Sequence, residues 1–296
     1  MRARNESSVS KRNNMTAISF CKFHGFGNDY VVFEADDLTG VSSIEDFART
    51  VCHRHTGIGG DGIAVLKRLD AEADYECRII NPDGSEAGFS GNGTRCAVSY
   101  LYYKNLWQEK SLKLKTRSGV KNYELLEQKD FTYRFLAELG KPKFNLPNTP
   151  EREGETAEEF GLMIPSEEIA VRITFVDVGN PVAVVFLEDF AQIDWRGIGS
   201  RIEVAPIFPD RTNVVFVKIN DESNIEIRIW ERGAGETSSS GTCSIAAAIA
   251  SAAGNNTSRK VSVHAEGGTT EAVWRETGEM LITGRADLAF CGEIYQ

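Results

Sequence analysis

The chain has 296 residues, with 33 lysines and arginines against 43 aspartates and glutamates, so its formal net charge is −10. This acidic balance argues against a nucleic-acid or anionic-membrane partner, and no apolar run approaches the roughly 20 residues that span a bilayer. The six cysteines form no Cys-x-x-Cys pair, which argues against a disulfide scaffold or a zinc ribbon and predicts reduced thiols in a cytoplasmic protein.

The first fourteen residues, MRARNESSVSKRNN, are polar and basic and lack the apolar core of a secretory signal. We interpret residues 1–14 as a disordered leader or as a start site assigned too early. Met15 then opens the alternating stretch TAISFCKFHGFGNDYVVFEA, which is typical of half-buried strands. The fold is therefore expected to begin near Met15.

Residues 75–91 (YECRIINPDGSEAGFSG) match residues 225–241 (IEIRIWERGAGETSSSG) at an offset of 150. Each segment reads as a strand and a glycine-rich loop, followed by a helix of small residues. Two more pairs occur in the same order at nearly the same offset: Gly27-Asn28 with Gly179-Asn180, and Gly62 with Asn213. With the helix that follows each segment counted separately, these four matched elements predict a duplicated chain, with two similar β-rich lobes and a site between them.

Strand-like runs dominate both halves, with about one good helix in each, which favours an α+β fold over βαβ winding. We predict an N-terminal lobe over residues 15–136, completed by a C-terminal strand at 283–296, and a C-terminal lobe over 137–282. The acidic, proline-containing stretch from Leu146 to Glu168 is interpreted as a loop-rich connection near the lobe boundary.

Two similar loops each lead into a helix, at Ser90-Gly91-Asn92 and at Ser240-Gly241-Thr242. The first N–H groups of a helix have no internal partner and attract anions. If the lobes face each other, both helix ends could hold one carboxylate and stabilise the charge that builds when an α-proton is removed. The alternative is that both serines are plain helix caps.

In these loops and in several other motifs, the chain resembles the diaminopimelate epimerase family, from about Met15 to its C-terminus. The segments that carry the resemblance, in the family's order, are HGFGNDYVVF (24–33), RHTGIGGDGIAVL (54–66), NPDGSEAGFSGNGTRC (81–96), VGNPVAVV (178–185), FPDRTNVVFV (208–217), ERGAGETSSSGT (231–242) and LITGRADLAFCGEI (281–294). The motifs ERGAGET and SGNG/SGT are the most specific of these.

The resemblance implies two pseudo-symmetric lobes, each a β-sheet wrapped round a central helix. It also implies an isomerase that needs no cofactor and no metal. Such an enzyme converts LL-diaminopimelate to the meso form by two-base proton transfer, on the route to lysine and peptidoglycan precursors. The family uses two facing cysteines; Ser90 and Ser240 occupy those positions here. Val182 stands where the family has a histidine, and Glu231 is retained.

Substrate-binding positions are better preserved than catalytic ones. By the resemblance, the distal carboxylate and amine would meet Asn81, Asn180, Asn213 and Arg232. The reacting carboxylate would meet the backbone N–H groups of Gly91, Asn92, Gly241 and Thr242, and Asn28 matches a further binding position. Gly62 is smaller than the polar residue that the family often has there. The expected partner is a small amino-dicarboxylate, and the expected assembly is a homodimer.

Serine is a far weaker acid than cysteine, so the change of both residues alters the chemistry. Cys96 and Cys243 follow the two serines and are alternative thiols. Three functions therefore stay open: diaminopimelate epimerisation, another cofactor-independent racemisation or isomerisation on this fold, and binding of an amino acid without catalysis.

Overall fold

The computed structural model describes residues 17–146, 159–164 and 169–295. The predicted leader, residues 1–14, lies outside these ranges, as does most of the predicted connection from Leu146 to Glu168. The described part of that connection, Glu159–Ile164, is a strand that pairs with its neighbour, so the prediction of a loop is wrong there. Phe160 and Leu162 alternate along this strand and pack against an apolar cluster. The prediction from the charge pattern overlooked this alternation of apolar residues.

In the first half of the chain, the described residues form eight strands and two α-helices. The strands are β1 Ala17–Gly25, β2 Asn28–Glu34, β3 Gly62–Arg68, β4 Tyr75–Ile80, β5 Glu86–Ala87, β6 Ser111–Thr116, β7 Gly119–Lys129 and β8 Thr132–Glu138. The helices are α1 Ile44–Cys52 and α2 Gly91–Tyr103, and a short 3-10 helix spans Ala35–Leu38.

The described part of the second half repeats this order after one additional strand at its start. Its strands are β9 Glu159–Ile164, β10 Ile169–Asp177, β11 Pro181–Phe186, β12 Asn213–Asp221, β13 Asn224–Glu231, β14 Gly235–Thr237, β15 Lys260–Ala265, β16 Gly268–Trp274 and β17 Met280–Tyr295. Its α-helices are α3 Trp195–Glu203 and α4 Gly241–Ala253, with a 3-10 helix at Phe190–Gln192.

The long last strand, β17, closes a barrel in the first half. It pairs with β8 from Leu281 to Asp287 and with β1 from Asp287 to Tyr295. Between these two strands the pairing runs β1–β2–β3–β4–β6–β7–β8. The start of β17 also pairs with β16, so one strand serves both halves of the molecule.

Pairing in the two halves corresponds strand by strand. Strands β2 and β3 are parallel, as are β11 and β12, and the pair β4–β6 corresponds to the parallel pair β13–β15. The pairs β3–β4 and β12–β13 are both antiparallel. This correspondence confirms the predicted duplication and the α+β class with two pseudo-symmetric lobes.

Each half has a helix inside its sheet and a shorter helix outside it. Almost all residues of α2 and α4 are buried, as expected for a helix enclosed by a sheet. Outside, α1 packs Phe47 on Phe33, and α3 packs Trp195 on Phe216. The prediction of about one helix per lobe missed these outer helices. No helix in the described ranges is long and apolar enough to cross a membrane.

Strands between the two helix layers are buried on both faces, which explains their continuous apolar sequences. In β2, Val31 and Phe33 belong to the cluster around α1, whereas Tyr30 and Val32 belong to the cluster around α2. The alternation of strand side chains therefore directs Tyr30 toward the central helix.

The expectation that all six cysteines are reduced is wrong for one pair. Cys21 lies directly opposite Cys291 in the antiparallel pairing of β1 with β17, and the two form a disulfide bond. The residues are 270 positions apart in the sequence, so their spacing could not reveal the contact. The other four cysteines are free and buried.

Candidate active site

The two central helices meet at their first residues. Ser90 caps α2 and Ser240 caps α4, and each side chain accepts a hydrogen bond from a backbone N–H of the first turn. A Cβ atom added to Gly91 would lie 3.2 Å from the Cα atom of Gly241. The N-terminal ends of both helices, with their partial positive charge, therefore converge at one place. Both serines are helix caps, and this role also holds them at the place where the N-terminal ends of the two helices meet.

Glu231 is the acidic group beside Ser240. It is the last residue of β13, and its Oε2 atom accepts a hydrogen bond of 2.8 Å from the Thr237 hydroxyl. Burial raises the pKa of Glu231, while the neighbouring hydroxyls of Ser240 and Thr237 oppose the rise. A carboxylate with a raised pKa that lies near a serine hydroxyl can act as a general base.

The surroundings of Ser90 are different. Its Oγ atom lies 3.1 Å from the Gly93 backbone nitrogen and 2.9 Å from the Tyr30 hydroxyl. Val182 is fully buried in the apolar cluster around the central helices, so its side chain offers no base. The contact between Tyr30 and Ser90 was not predicted from the sequence, because the alternation of β2 indicates only the face on which Tyr30 lies.

Asn92 connects the two halves beside the helix ends. Its Nδ2 atom donates to Asn28 Oδ1 at 3.1 Å and to the Ser239 carbonyl at 3.3 Å. Asn28 in turn donates to Asp61 at 2.8 Å. The side chain of Asn92 is thus held in place by groups from both lobes, which fixes the orientation of the first turn of α2. On the opposite helix, the hydroxyl of Thr242 lies 3.2 Å from that of Ser240.

A second cluster lies in the C-terminal half, around Arg232. Its guanidinium donates to Asn180 Oδ1 at 3.2 Å and to the Asp210 carbonyl at 2.9 Å. Asn213 accepts from the Arg232 backbone nitrogen at 3.0 Å and donates to the Pro181 carbonyl at 3.0 Å. The structure therefore brings together three of the four residues that were predicted to bind the distal end of the substrate.

Asn81, the fourth of these residues, occupies the turn after β4. Its side-chain nitrogen donates to the Ser85 hydroxyl at 2.9 Å, and its backbone nitrogen donates to the Ser85 carbonyl at 2.8 Å. These bonds shape the turn that leads from β4 to β5 and onward to Ser90. The described contacts of Asn81 are thus local ones.

Arg95 was missed by the sequence analysis. It is 1% exposed, and its Nη1 atom would lie 3.5 Å from a Cβ placed on Gly91 and 3.3 Å from one placed on Gly241. Asn92 accepts a hydrogen bond from its Nη2 atom, whereas Nε and Nη1 have no partner among the described residues. Burial lowers the pKa of Arg95. This guanidinium adds positive charge directly behind both helix ends.

The remaining free thiols near the helix ends are poorly placed for proton transfer. Cys96 and Cys243 are 0% exposed, and burial raises the pKa of each thiol. A buried thiol with a raised pKa supplies very little thiolate near neutral pH. The geometry therefore favours the serine hydroxyls over these cysteines. In the described ranges, no three side chains of His, Cys, Asp or Glu are grouped as metal ligands.

Comparison with known proteins gives a consistent result. The family model described as diaminopimelate epimerase matches residues 20–144 and 174–289. A diaminopimelate epimerase from Pelotomaculum thermopropionicum is 36% identical over 277 residues, covering 93% of this chain and 98% of the relative. The corresponding protein from Bacteroides thetaiotaomicron is 38% identical, covering 94% of this chain and 98% of the relative.

Solved structures show the same fold at much lower identity. A hydroxyproline epimerase from Agrobacterium vitis, crystallised with bound trans-4-hydroxy-L-proline, superposes with a TM-score of 0.66. It is 15% identical, and the match covers 95% of this chain and 91% of that chain. At this identity the likeness concerns the fold alone.

Proposed function

The chain belongs to the diaminopimelate epimerase family and is an isomerase, and we propose that it inverts one α-carbon of LL-diaminopimelate between Ser90 and Ser240. The product is the meso form, a precursor of lysine and peptidoglycan. One observation supports this most strongly: two serine-capped helix N-termini meet within van der Waals distance.

The helix ends would bind the carboxylate next to the reacting carbon. Backbone N–H groups of Gly91, Asn92, Gly241 and Thr242 are the donors in this proposal. Removal of the α-proton places negative charge on that carboxylate, and fixed donors stabilise this charge without having to reorganise. The guanidinium of Arg95 lies close behind both ends and adds to their positive potential.

Proton removal would occur on the Ser240 side. Ser240 takes the α-proton as its own hydroxyl proton passes to the Glu231 carboxylate, and the electron pair of the broken C–H bond moves into the substrate carboxylate. Ser90 then delivers its proton to the opposite face of the carbon, which completes the inversion. Glu231 then releases the proton that it accepted to solvent and a solvent proton restores the Ser90 hydroxyl, so both groups return to their starting states.

The distal end of the substrate would lie against the Arg232 cluster. A guanidinium suits a carboxylate because it donates two parallel hydrogen bonds. Asn180 and Asn213 already hold Arg232 in place, and their amides can also meet the distal amine. Asn28 and Asn81 complete the proposed set of binding residues.

The lobe boundaries, a homodimeric assembly and a cytoplasmic location stay predictions. The boundaries at residues 15–136 and 137–282 can be checked by mapping sites of limited proteolysis.

Light scattering would establish the mass of the assembly in solution. The candidate contacts between subunits are Phe290 and Tyr295, both exposed on β17. Titration of free thiols in protein from reducing cells would establish whether Cys21 and Cys291 are bonded there.

The direct test is to incubate the purified protein with LL-diaminopimelate in deuterated water. We expect loss of the α-proton signal by NMR and formation of the meso isomer, with and without prior dialysis against a chelator. Ser240→Ala should abolish both. Ser251→Ala is the matched control, because Ser251 is a buried serine of the same helix that binds only a backbone carbonyl. Absence of exchange and inversion in the parent protein would refute the proposal.

A further inference from the structure

Tyr30 occupies a slot formed by two glycines. It lies opposite Gly62 in the parallel pairing of β2 with β3. A Cβ on Gly62 would lie 2.7 Å from Cε1 of the Tyr30 ring, and a Cβ on Gly93 would lie 2.9 Å from the same atom. Any larger residue at either position would displace the ring. Gly62 therefore leaves room for the Tyr30 ring.

The slot brings the Tyr30 hydroxyl to 2.9 Å from Ser90 Oγ. Tyr30 is buried, and Ser90 is the hydrogen-bond partner that the structure gives its hydroxyl. If Tyr30 accepted this bond, its own hydrogen would be left buried without an acceptor, which is unfavourable. We therefore assign Tyr30 as the donor. Ser90 then accepts from Tyr30 and from the Gly93 N–H, which leaves its own hydrogen free to point at a ligand.

We propose that Tyr30 is a positioning residue that stabilises the Ser90 oxygen when the Ser90 hydroxyl loses its proton. In this role Tyr30 takes the place of the histidine that the family has at the position of Val182. This inference rests on the proposed function. As the new C–H bond forms, the Ser90 O–H bond breaks and its electron pair stays on oxygen. The Tyr30 O–H and the Gly93 N–H both donate to that alkoxide, at the positive end of α2. A proton from solvent then restores the Ser90 hydroxyl, balanced by the proton that Glu231 releases to solvent.

The state of the Tyr30 hydroxyl fits a donor and not a base. Burial raises the pKa of Tyr30, and the nearby carboxylates of Glu231 and Asp61 raise it further. The phenol therefore keeps its proton throughout the working range of pH. Ser240 has a carboxylate beside it, whereas Ser90 has a neutral donor, so the Ser90 side is built to release a proton from Ser90.

The first test compares Tyr30→Phe with Tyr100→Phe. Tyr100 is a buried tyrosine of α2 that donates to Glu34, away from the helix ends, so it controls for loss of a buried hydroxyl. We expect Tyr30→Phe to lower kcat at least about tenfold with KM nearly unchanged. In deuterated water, the ratio of exchange without inversion to inversion should rise. An unchanged kcat, or exchange and inversion falling in equal measure, would overturn the inference.

The second test does not depend on activity. In Ser90→Cys, the pH dependence of iodoacetamide alkylation at position 90, followed by mass spectrometry, reports the thiol pKa. A Tyr30 donor should place the inflection about 0.5 pH unit or more below that of the Ser90→Cys/Tyr30→Phe double variant. Coinciding inflections would overturn the inference, even if the parent epimerises diaminopimelate. An inactive parent protein with separated inflections would refute only the proposed function.

Discussion

The N-terminal turns of α2 and α4 share their backbone design and differ in their chemistry. In both, a serine caps the helix, a glycine follows, and a hydroxyl one turn later donates to the serine carbonyl: Thr94 to Ser90 at 2.6 Å and Ser244 to Ser240 at 2.8 Å. Yet Ser240 has Glu231 beside it, whereas Ser90 has Tyr30.

The same asymmetry continues inside the helices. Arg95 of α2 corresponds, at the offset of 150, to Ile245 of α4, and both are fully or almost fully buried. The comparison teaches that duplication kept the backbone geometry of the two helix starts, while the groups around each serine diverged. One side carries a carboxylate, and the other carries hydrogen-bond donors and a buried cation.

The largest effect is expected from removing the base. Glu231→Gln keeps the shape of the side chain but cannot accept a proton, so kcat should fall by about 10²- to 10⁴-fold. Because Glu231 must be ionised, the rate should rise with pH through a pKa above its ordinary value of 4.5, and the rate should be lost below it. Steady-state kinetics from acidic to neutral pH would measure this. If the Glu231→Gln variant kept the parent's rate, Glu231 would not be a base that distinguishes the Ser240 side from the Ser90 side.

Replacing both serines with cysteines should make the two sides more alike. A thiolate at a helix N-terminus is available near neutral pH, where an alkoxide is not. Ser90→Cys with Ser240→Cys should therefore raise α-proton exchange by about 10²-fold, and either single change should raise it less. Ser251→Cys serves as the control for an added buried thiol. If the double variant binds diaminopimelate but exchanges no faster than the parent, the serines do not flank the α-carbon.

Ligand affinity should depend on the C-terminal cluster more than on either helix end. Arg232→Ala removes a charged donor from the distal carboxylate, which corresponds to about 1.5–3 kcal/mol, or roughly a 10- to 100-fold rise in Kd for diaminopimelate. Calorimetry measures it directly. Arg196→Ala is the control, since Arg196 forms an exposed ion pair with Glu236. Equal affinity in the two variants would place the distal carboxylate elsewhere.

The smallest expected effect concerns Arg95. Arg95→Met removes a buried charge that lacks an acidic partner among the described residues while keeping an apolar side chain of similar length, so thermal stability should hold or rise. Affinity for the substrate carboxylate should fall a few-fold, because positive potential behind the helix ends is lost. Arg95→Lys should retain more of that affinity. Melting curves and calorimetry together would show whether stability and binding change in opposite directions; a parallel loss of both would indicate a purely structural role.

The internal repeat and the family motifs predicted the duplicated α+β fold and the meeting of the two serine loops. They could do so because glycine-rich turns and small-residue helices leave local signals in the sequence. The Cys21–Cys291 disulfide depends on the register between the first and last strands, which no local pattern records. The Tyr30–Ser90 contact likewise requires the pairing of Tyr30 with Gly62.

Arg95 is an intermediate case. Comparison with Ile245 reveals a charge inside a helix of otherwise small and apolar residues, but only the packed structure places that charge at Gly91 and Gly241. The strand Glu159–Ile164 was hidden by its acidic and proline-containing flanks. In physical terms, the sequence predicted elements and loops, whereas contacts between distant strands required the fold.

The most direct measurement is a crystal structure of the protein with diaminopimelate bound. It should place one α-carbon between Ser90 Oγ and Ser240 Oγ, with the adjacent carboxylate on the backbone N–H groups of Asn92 and Thr242. The distal carboxylate should contact Arg232. A ligand bound away from the helix ends would contradict the account, and so would one in which both serine hydroxyls lie on the same face of the α-carbon.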